Sequence, residues 1–584
     1  MKILLLHFED DPDGVSAPSG GWDQIADLGM GGSDTYEHWS LRFDCPVTAV
    51  RSLRNGFEDF RRIRDLLGAG CGQLIDEHGL DWWELISILL HGELETLILL
   101  QRFVSALGSG DEVFVSRPGV HASLLQALLP KRVHVFPLRQ GAEKRGLRHY
   151  LRVSRRLSLS QMVDVFWDKC DLGYQFRGRL TRKPPPSKGP VTLLPTAYVN
   201  VSRTGIAYAN TFPEENFLLV STRRSGWVRS QPRNVAAARL SSYASLGGRD
   251  AENAKIEGAW QSLRKKLRTL PEFEILNQAG YLGGFSRHFR HGLAVRDAWR
   301  NVLDSEPVQA VLCADDSNPY TRIPLLLAQA RGLANIACHH GALDGRYFFK
   351  RSYADLVWAK GKMEQDYLVR KCSVPQDRVE IAAPASPTDW QGMEKSNRDI
   401  FRPHILFISE AYEAGGGRAK EFYRDILPLL ANLALSNRRT LIVKLHPGES
   451  KHERGGMLAS ILSPQQKTAT RIVTGPITED LLANAWFGIT VLSTVATECA
   501  MRGVPCFLCR WLESWPYGYV DQFIRFGVGI GLNDPSEIQN IPEYLQKYEP
   551  SAEARENCYQ RVAPGHLREL LSASSRREFT AVVG

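Results

Sequence analysis

Between residues 404 and 509, short apolar runs alternate with helical patterns. "HILFIS" (404–409), "LIVKL" (441–445), "RIVTG" (471–475), "FGITVL" (487–492) and "PCFLC" (505–509) have the length and composition of strands. Between them, Phe422, Ile426, Leu429, Leu430 and Leu433 fall on one face of a helix, and "EDLLANA" and "VATECAMR" read as two shorter helices. Strands linked through helices by short connections predict a parallel sheet wrapped by helices. A second series lies upstream: "KILLLHF" at the start, "DEVFVSR" (111–117), "VHVFP" (133–137), "VQAVLCADD" (308–316), "ANIACHHG" (334–341) and "DLVWAKG" (355–361). Residues 140–300 interrupt it, and the pattern does not order these strands. The boundary between the series falls near Pro384–Arg402, rich in Pro, Ser and charge. The economical architecture is α/β, with two doubly wound Rossmann-like sheets facing a central cleft and ligand loops at their strand C-termini.

A chain of 584 residues exceeds a single core. With 43% apolar and 23% charged residues, it has the composition of an ordinary globular protein. The opening Met1-Lys2-Ile3-Leu4-Leu5-Leu6 turns acidic at Glu9-Asp10-Asp11, too soon for a signal peptide. The most apolar stretch, Leu85 to Leu107, carries His91, Glu93, Glu95 and Arg102, which predicts a buried helix pair and not a membrane span. Ten cysteines lack framework spacing, and Cys506-Phe-Leu-Cys509 has no second pair to complete a zinc site. Reduced, buried thiols in a cytoplasmic protein are the expectation. The net charge of +8 is unevenly placed: Lys131 to Lys188 holds fifteen Lys/Arg against four acids. This basic segment is either a solvated face or a docking surface for an anionic partner, with Arg152, Arg155 and Arg156 as candidates. An anionic membrane surface, reached from the cytoplasmic side, is one such partner. No nucleic-acid motif accompanies the charge, so nucleic acid is not expected.

Candidate chemistry clusters near the C-terminal third. In "VLSTVATECAMRGVPCFL" (491–508) a strand ends at Ser493-Thr494 and a helix begins, offering capped amides and a positive dipole end to a phosphate. Glu498, one turn in, can face a hydroxylated group such as a ribose. One crossover earlier, "KLHPGES" ends another strand. Pro447 restricts its own backbone and holds His446 extended, where the ring can donate to a phosphoryl oxygen. Lys444 either joins this site or serves the strand. A third strand end carries Gly415, Gly416 and Gly417, which let backbone approach a ligand or form a flexible turn. Amides, a histidine and glycines at three strand ends describe a nucleotide-phosphate site.

Lys-X-His-Pro followed by Ser-Thr-X-X-X-Glu-X-X-X-X-Gly-X-Pro resembles the C-terminal half of GT-B fold transferases of bacterial surface polysaccharides, among them sialyltransferases and CDP-glycerol glycerophosphotransferases. The resemblance implies that His446, Ser493 and Thr494 hold a donor phosphate and that Glu498 meets the donor's ribose or sugar. Upstream, "ADDSNPYTRIPLLLAQARGLANIACHHGALDG" (314–345) is similar to the His-Gly region of the same families. It implies a role for His340 at the reacting hydroxyl, as a base whose ordinary pKa of about 6.5 suits neutral pH. Asp316 is the competing base, and a packed strand end is the plain alternative for His339-His340. The segment after the first strand, with Gly20-Gly21 and Gly31-Gly32, is an enlarged acceptor loop or a surface excursion. No metal motif is found, and the resemblance implies metal-independent chemistry without a cofactor.

The resemblance implies an N-terminal acceptor-side domain (1–385) with a basic insertion around 130–215, and a C-terminal donor domain (386–584) ending in a helix. It implies a glycosyltransferase moving a sugar from a CMP- or UDP-linked donor to a surface polysaccharide or glycolipid acceptor. The rivals are a CDP-glycerol or polyol phosphotransferase, a non-hydrolysing UDP-GlcNAc 2-epimerase, and a non-catalytic polysaccharide-binding subunit.

Overall fold

The computed structural model describes residues 1–6, 10, 17–28, 33–116, 119–136, 187–223, 226–228, 231–245, 247–384, 401–410, 412, 419–475, 477–513, 517–548 and 551–574. The predicted α/β class holds, and among the described residues every pairing within the sheets is parallel. The strands form three sheets where two were expected. Sheet one holds β1 (Lys2–Leu6), β2 (Gln24–Asp27), β3 (Val47–Ala49), β4 (Glu112–Val115) and β5 (Val133–Val135), in the order β3-β2-β1-β4-β5. Sheet two holds β6 (Val191–Thr196), β7 (Phe217–Ser221), β8 (Val235–Arg239), β9 (Val308–Cys313), β10 (Ala334–Cys338), β11 (Leu356–Ala359) and β12 (Val379–Ile381), in the order β12-β11-β10-β9-β6-β7-β8. Sheet three holds β13 (His404–Ile408), β14 (Thr440–Lys444), β15 (Thr470–Val473), β16 (Ala485–Thr490), β17 (Cys506–Cys509) and β18 (Ile530–Leu532), in the order β15-β14-β13-β16-β17-β18. The upstream strands divide because a single twisted sheet rarely exceeds about ten strands.

All three sheets are wound alike. Each begins in the middle, runs out to one edge, then returns to the other side of its first strand. The reversal falls between β1 and β4, between β6 and β9, and between β13 and β16, and the crevice at the strand C-termini there is where such sheets bind ligands. In sheet three the central strands are buried on both faces, so "HILFI" is apolar throughout after its first residue. Helix Ala419–Ser436 covers one face with Phe422, Ile426, Leu427 and Leu430, all fully buried. Gly488 in β16 admits the helix Val495–Met501 closely: a Cβ there would stand 3.1 Å from the Cys499 sulfur.

The chain forms two compact units. One is Met1–Asp59, Glu95–Lys144 and Thr388–Cys558; the other is Phe60–Leu94, Arg145–Pro387 and Tyr559–Gly584. A division at 385/386 shares with this only the passage at 387/388, since sheet one groups with sheet three and the last residues group with sheet two. The apolar stretch predicted as a helix pair is one helix, Trp83–Ser105. Its charges lie along a continuous 23-residue element and do not break it. Among the described residues no helix is long and apolar enough to cross a membrane. Gly20 and Gly21 take φ values of 89° and 75° in a tight turn that leads into β2, so part of the predicted acceptor loop is a strand.

Candidate functional site

At the C-terminal ends of β13, β14 and β16 the chain gathers most of the predicted donor residues. Lys444 is the last residue of β14 and is buried, its Nζ donating to the Leu445 carbonyl at 2.7 Å. Burial lowers its pKa, while the charges of Glu449 and Glu498 pull the other way. His446 stands exposed just past the strand. Its backbone N–H donates to Glu449 Oε2 at 2.8 Å, and its Nδ1 accepts from the Gly448 N–H at 3.1 Å. Partial burial of the ring depresses its pKa, with Glu449 opposing. Pro447 is exposed beside it.

Glu449 organises this corner. Its Oε1 accepts from Ser409 Oγ (3.0 Å), Tyr423 OH (3.3 Å) and Arg454 Nε (2.7 Å). It thereby joins the end of β13, the helix Ala419–Ser436 and the turn that carries His446. Across the switch point, Glu410 Oε1 accepts from Thr490 Oγ1 at 2.9 Å and from the Leu492 N–H at 2.7 Å. Burial lifts the Glu410 carboxyl to about 7 despite those bonds, with Glu449 adding to the rise. Ser493 Oγ accepts from the Val495 N–H at 3.3 Å, so the predicted cap falls to Ser493, whereas Thr494 makes no side-chain cap and is exposed. Glu498 is half-buried; burial raises its pKa and the charges of Arg502 and Lys444 lower it. The charges of both Glu449 and Glu498 act on Lys444. Gly415, Gly416, Arg152, Arg155 and Arg156 lie outside the described residues.

Sheet two carries a second cluster at its own switch point. Asp315 and Asp316 follow β9, His339 and His340 follow β10, Lys360 follows β11, and Tyr198 follows β6. The two aspartates have different roles. Asp316 is sealed in the interior: Lys350 Nζ donates to it at 2.6 Å and Arg322 Nη1 at 3.1 Å, and Arg322 also pairs with Glu84. As a competing base Asp316 is therefore corrected, because two buried cations already claim its lone pairs. Asp315 instead faces His340. It accepts from Tyr198 OH, whose oxygen also lies 3.4 Å from His340 Nδ1. Burial lowers the His340 pKa, and the charge of Asp315 is the largest effect opposing it. His339 is buried, its Nδ1 accepting from the Gly341 N–H at 3.2 Å. Lys360 Nζ pins the turn by donating to the carbonyls of His339 and of Gly341, the latter at 2.6 Å.

Asp315, His339 and His340 each present a possible ligand atom within 4.8 Å of the others, the spacing of a small cation site. Arg346 stands 3.7 Å from Asp315, and Lys360 adds a second positive charge nearby. A cavity of about 480 Å³ opens at the opposite, N-terminal end of sheet two, lined by Asp81, Glu84, Asn335, Arg351, Tyr353 and Arg378. It is remote from the strand ends that carry the histidines.

Motif reading missed Glu410, Glu449, Tyr198 and Asp315. Only the acid of "KLHPGE", three residues past His446, offered a signal, because that spacing lets its carboxylate return to the histidine's amide.

The fold and the two clusters describe a doubly wound α/β protein with polar loops at its switch points. No protein-family model matches the chain, and no curated protein does. Among solved structures it is similar to the UDP-GlcNAc 2-epimerase of Methanocaldococcus jannaschii, with 10% identity over 66% of this chain and 100% of that one and a TM-score of 0.42. It is also similar to the wall teichoic acid polymerase TagF (10% identity, 74% of this chain and 97% of that one, TM-score 0.38). A third is CalG4, the calicheamicin glycosyltransferase (12% identity, 66% and 94%, TM-score 0.36). With TM-scores below 0.5 these likenesses bear on neither activity nor substrate.

Proposed function

We propose that the chain is a GT-B type glycosyltransferase that takes a nucleotide-activated sugar over sheet three and an acceptor hydroxyl over sheet two. The observation that supports the reading is that the two strands flanking β13 end near these residues, β14 at Lys444 with His446 just beyond and β16 before Ser493 and Glu498, with the charge of Glu498 acting on Lys444. In this reading the free N–H of His446 donates to a phosphoryl oxygen of the donor, a charge-assisted bond that strengthens as the nucleotide leaves. Glu498 accepts from a ribose or sugar hydroxyl. The Leu492 amide is occupied by Glu410, so the phosphate relies on His446 and on the Ser493-Thr494 turn.

His340 acts as general base, taking the proton of the acceptor hydroxyl as that oxygen attacks the anomeric carbon and the nucleotide departs with the bonding electrons. Burial keeps its ring neutral at pH 7, ready to accept a proton, and Asp315 stabilises the imidazolium that forms. The acceptor is a surface polysaccharide or glycolipid, and a cytidine-linked donor is preferred to a uridine-linked one.

Thermal unfolding with CMP, UMP, CDP and UDP tests the donor site. A cytidine or uridine nucleotide is expected to raise Tm by several degrees, as ligation of the folded state alone requires. His446→Ala should abolish the shift. A shift that survives this substitution removes His446 from the site.

A further inference from the structure

His339 and His446 end parallel strands of different sheets and share one local device. In each case the amide two residues later, that of a glycine, donates to the ring's Nδ1: Gly341 to His339 at 3.2 Å, and Gly448 to His446 at 3.1 Å. A neutral imidazole has one N–H and one acceptor nitrogen, so a ring whose Nδ1 accepts must carry its proton on Nε2. At position 448 glycine leaves room for the ring, since a Cβ there would stand a tight 3.3 Å from His446 Nδ1. At 339 the turn is held by Lys360 through the flanking carbonyls. The His339 Nε2 is buried and has no partner in the protein. Buried donors of that kind are rare, and they mark a site for a water or a ligand atom.

We propose that His339 and His446 are fixed Nε2–H hydrogen-bond donors, each for a ligand oxygen on its own sheet, and that Gly341 and Gly448 are the positioning residues that set the tautomer. For His446 the oxygen is a donor phosphoryl oxygen, and that half rests on the function proposed above; the half concerning His339 stands without it. Two consequences follow for the sheet-two cluster. His339 has no lone pair to give a metal ion, so the Asp315–His339–His340 triangle is not a cation site. His340 is the ring of the pair left able to take up a proton.

The test is a long-range 15N–1H correlation spectrum of the full chain labelled with 15N-histidine, its two signals assigned by their loss in His339→Gln and His446→Gln. Both rings are expected to show the Nε2–H pattern in the free protein, and Gly341→Pro and Gly448→Pro, which remove the donating N–H, should each shift their own ring towards a tautomer mixture. An Nδ1–H pattern or a mixture in the parent overturns the proposal, and a displacement of the His339 signals by added Zn²⁺ overturns it for that ring. A CMP titration adds a second arm. Glutamine sets its amide N–H near the place of Nε2 and asparagine near that of Nδ1, so His446→Gln should bind CMP about tenfold tighter than His446→Asn. Equal binding by the two overturns the donor role of His446. If the parent binds neither CMP nor UMP, the donor-site reading fails while the spectrum still decides the tautomers.

Discussion

Glu410 and Glu449 show how much of the sheet-three strand ends depends on acids that were not among the expected site residues. Glu449 takes its bonds from side chains and a backbone amide, so its charge is dispersed. Glu410 sits at the reversal itself with its carboxyl raised to about 7 against an ordinary 4.5. A carboxyl raised on folding gives the folded state the extra proton between those two values. Its contribution to stability is therefore full below about pH 4.5 and is lost as pH climbs through about 7. The loss amounts to about 3 kcal/mol over that window. Glu410→Gln keeps an acceptor oxygen for Thr490 and the Leu492 amide but removes the titration. Urea unfolding of parent and variant at about pH 5 and about pH 8 should show the variant gaining on the parent by roughly 2–3 kcal/mol at the higher pH. A difference that does not change with pH would show that the carboxyl ionises normally.

At the scale of elements, residues 559–574 are a strap on sheet two. The Gln560 N–H donates to the Lys360 carbonyl at 2.7 Å, the Ala383 N–H to the Gln560 carbonyl at 3.0 Å and the Val562 N–H to the Ala383 carbonyl at 2.9 Å. Helix His566–Ser574 then packs Leu567, fully buried, into the core with Trp358 and Val562. Leu567→Ala removes a buried side chain and leaves a cavity, which should cost about 2–5 kcal/mol in the unfolding of this unit. A loss below about 0.5 kcal/mol, as at a surface position, would place the helix off the core. The strands β13 to β17 of sheet three were readable because each is a short apolar run bounded by turn residues, whereas β18, three residues long, was not. Those of β6 to β8 were not. β6 contains Pro195, which argues against a central strand, and "VAAAR" in β8 has one branched residue, Val235, ahead of three alanines. The proline is tolerated because β6 pairs with β9 only as far as Leu193, so its missing N–H falls beyond the last partner on that side. The site was partly readable for the same kind of reason. His446, Ser493 and Glu498 leave strands at recognisable breaks, whereas the choice between Asp315 and Asp316 depends on which of two adjacent side chains turns into the interior, and that is decided by Arg322 and Lys350 far along the chain.

At the scale of the whole molecule, charge separates what the folded sheets do from what the basic segment does. With +8 overall and +11 between Lys131 and Lys188, the remainder of the chain is slightly acidic. An anionic surface therefore attracts that segment, with roughly 1 kcal/mol gained per basic side chain near such a membrane at physiological salt. We propose that the segment docks the protein on an anionic membrane, which would keep a glycolipid acceptor close by. Reversing Arg152, Arg155 and Arg156 to glutamate changes the local charge by six. Sedimentation with phosphatidylserine-containing vesicles should then fall at least about 100-fold in apparent affinity, and the parent's binding should weaken steeply once salt brings the Debye length to about 3 Å near 1 M. Vesicles of neutral phosphatidylcholine serve as the control and should capture neither protein. Binding that is unchanged by the triple reversal, or indifferent to salt, would leave the segment as a solvated face.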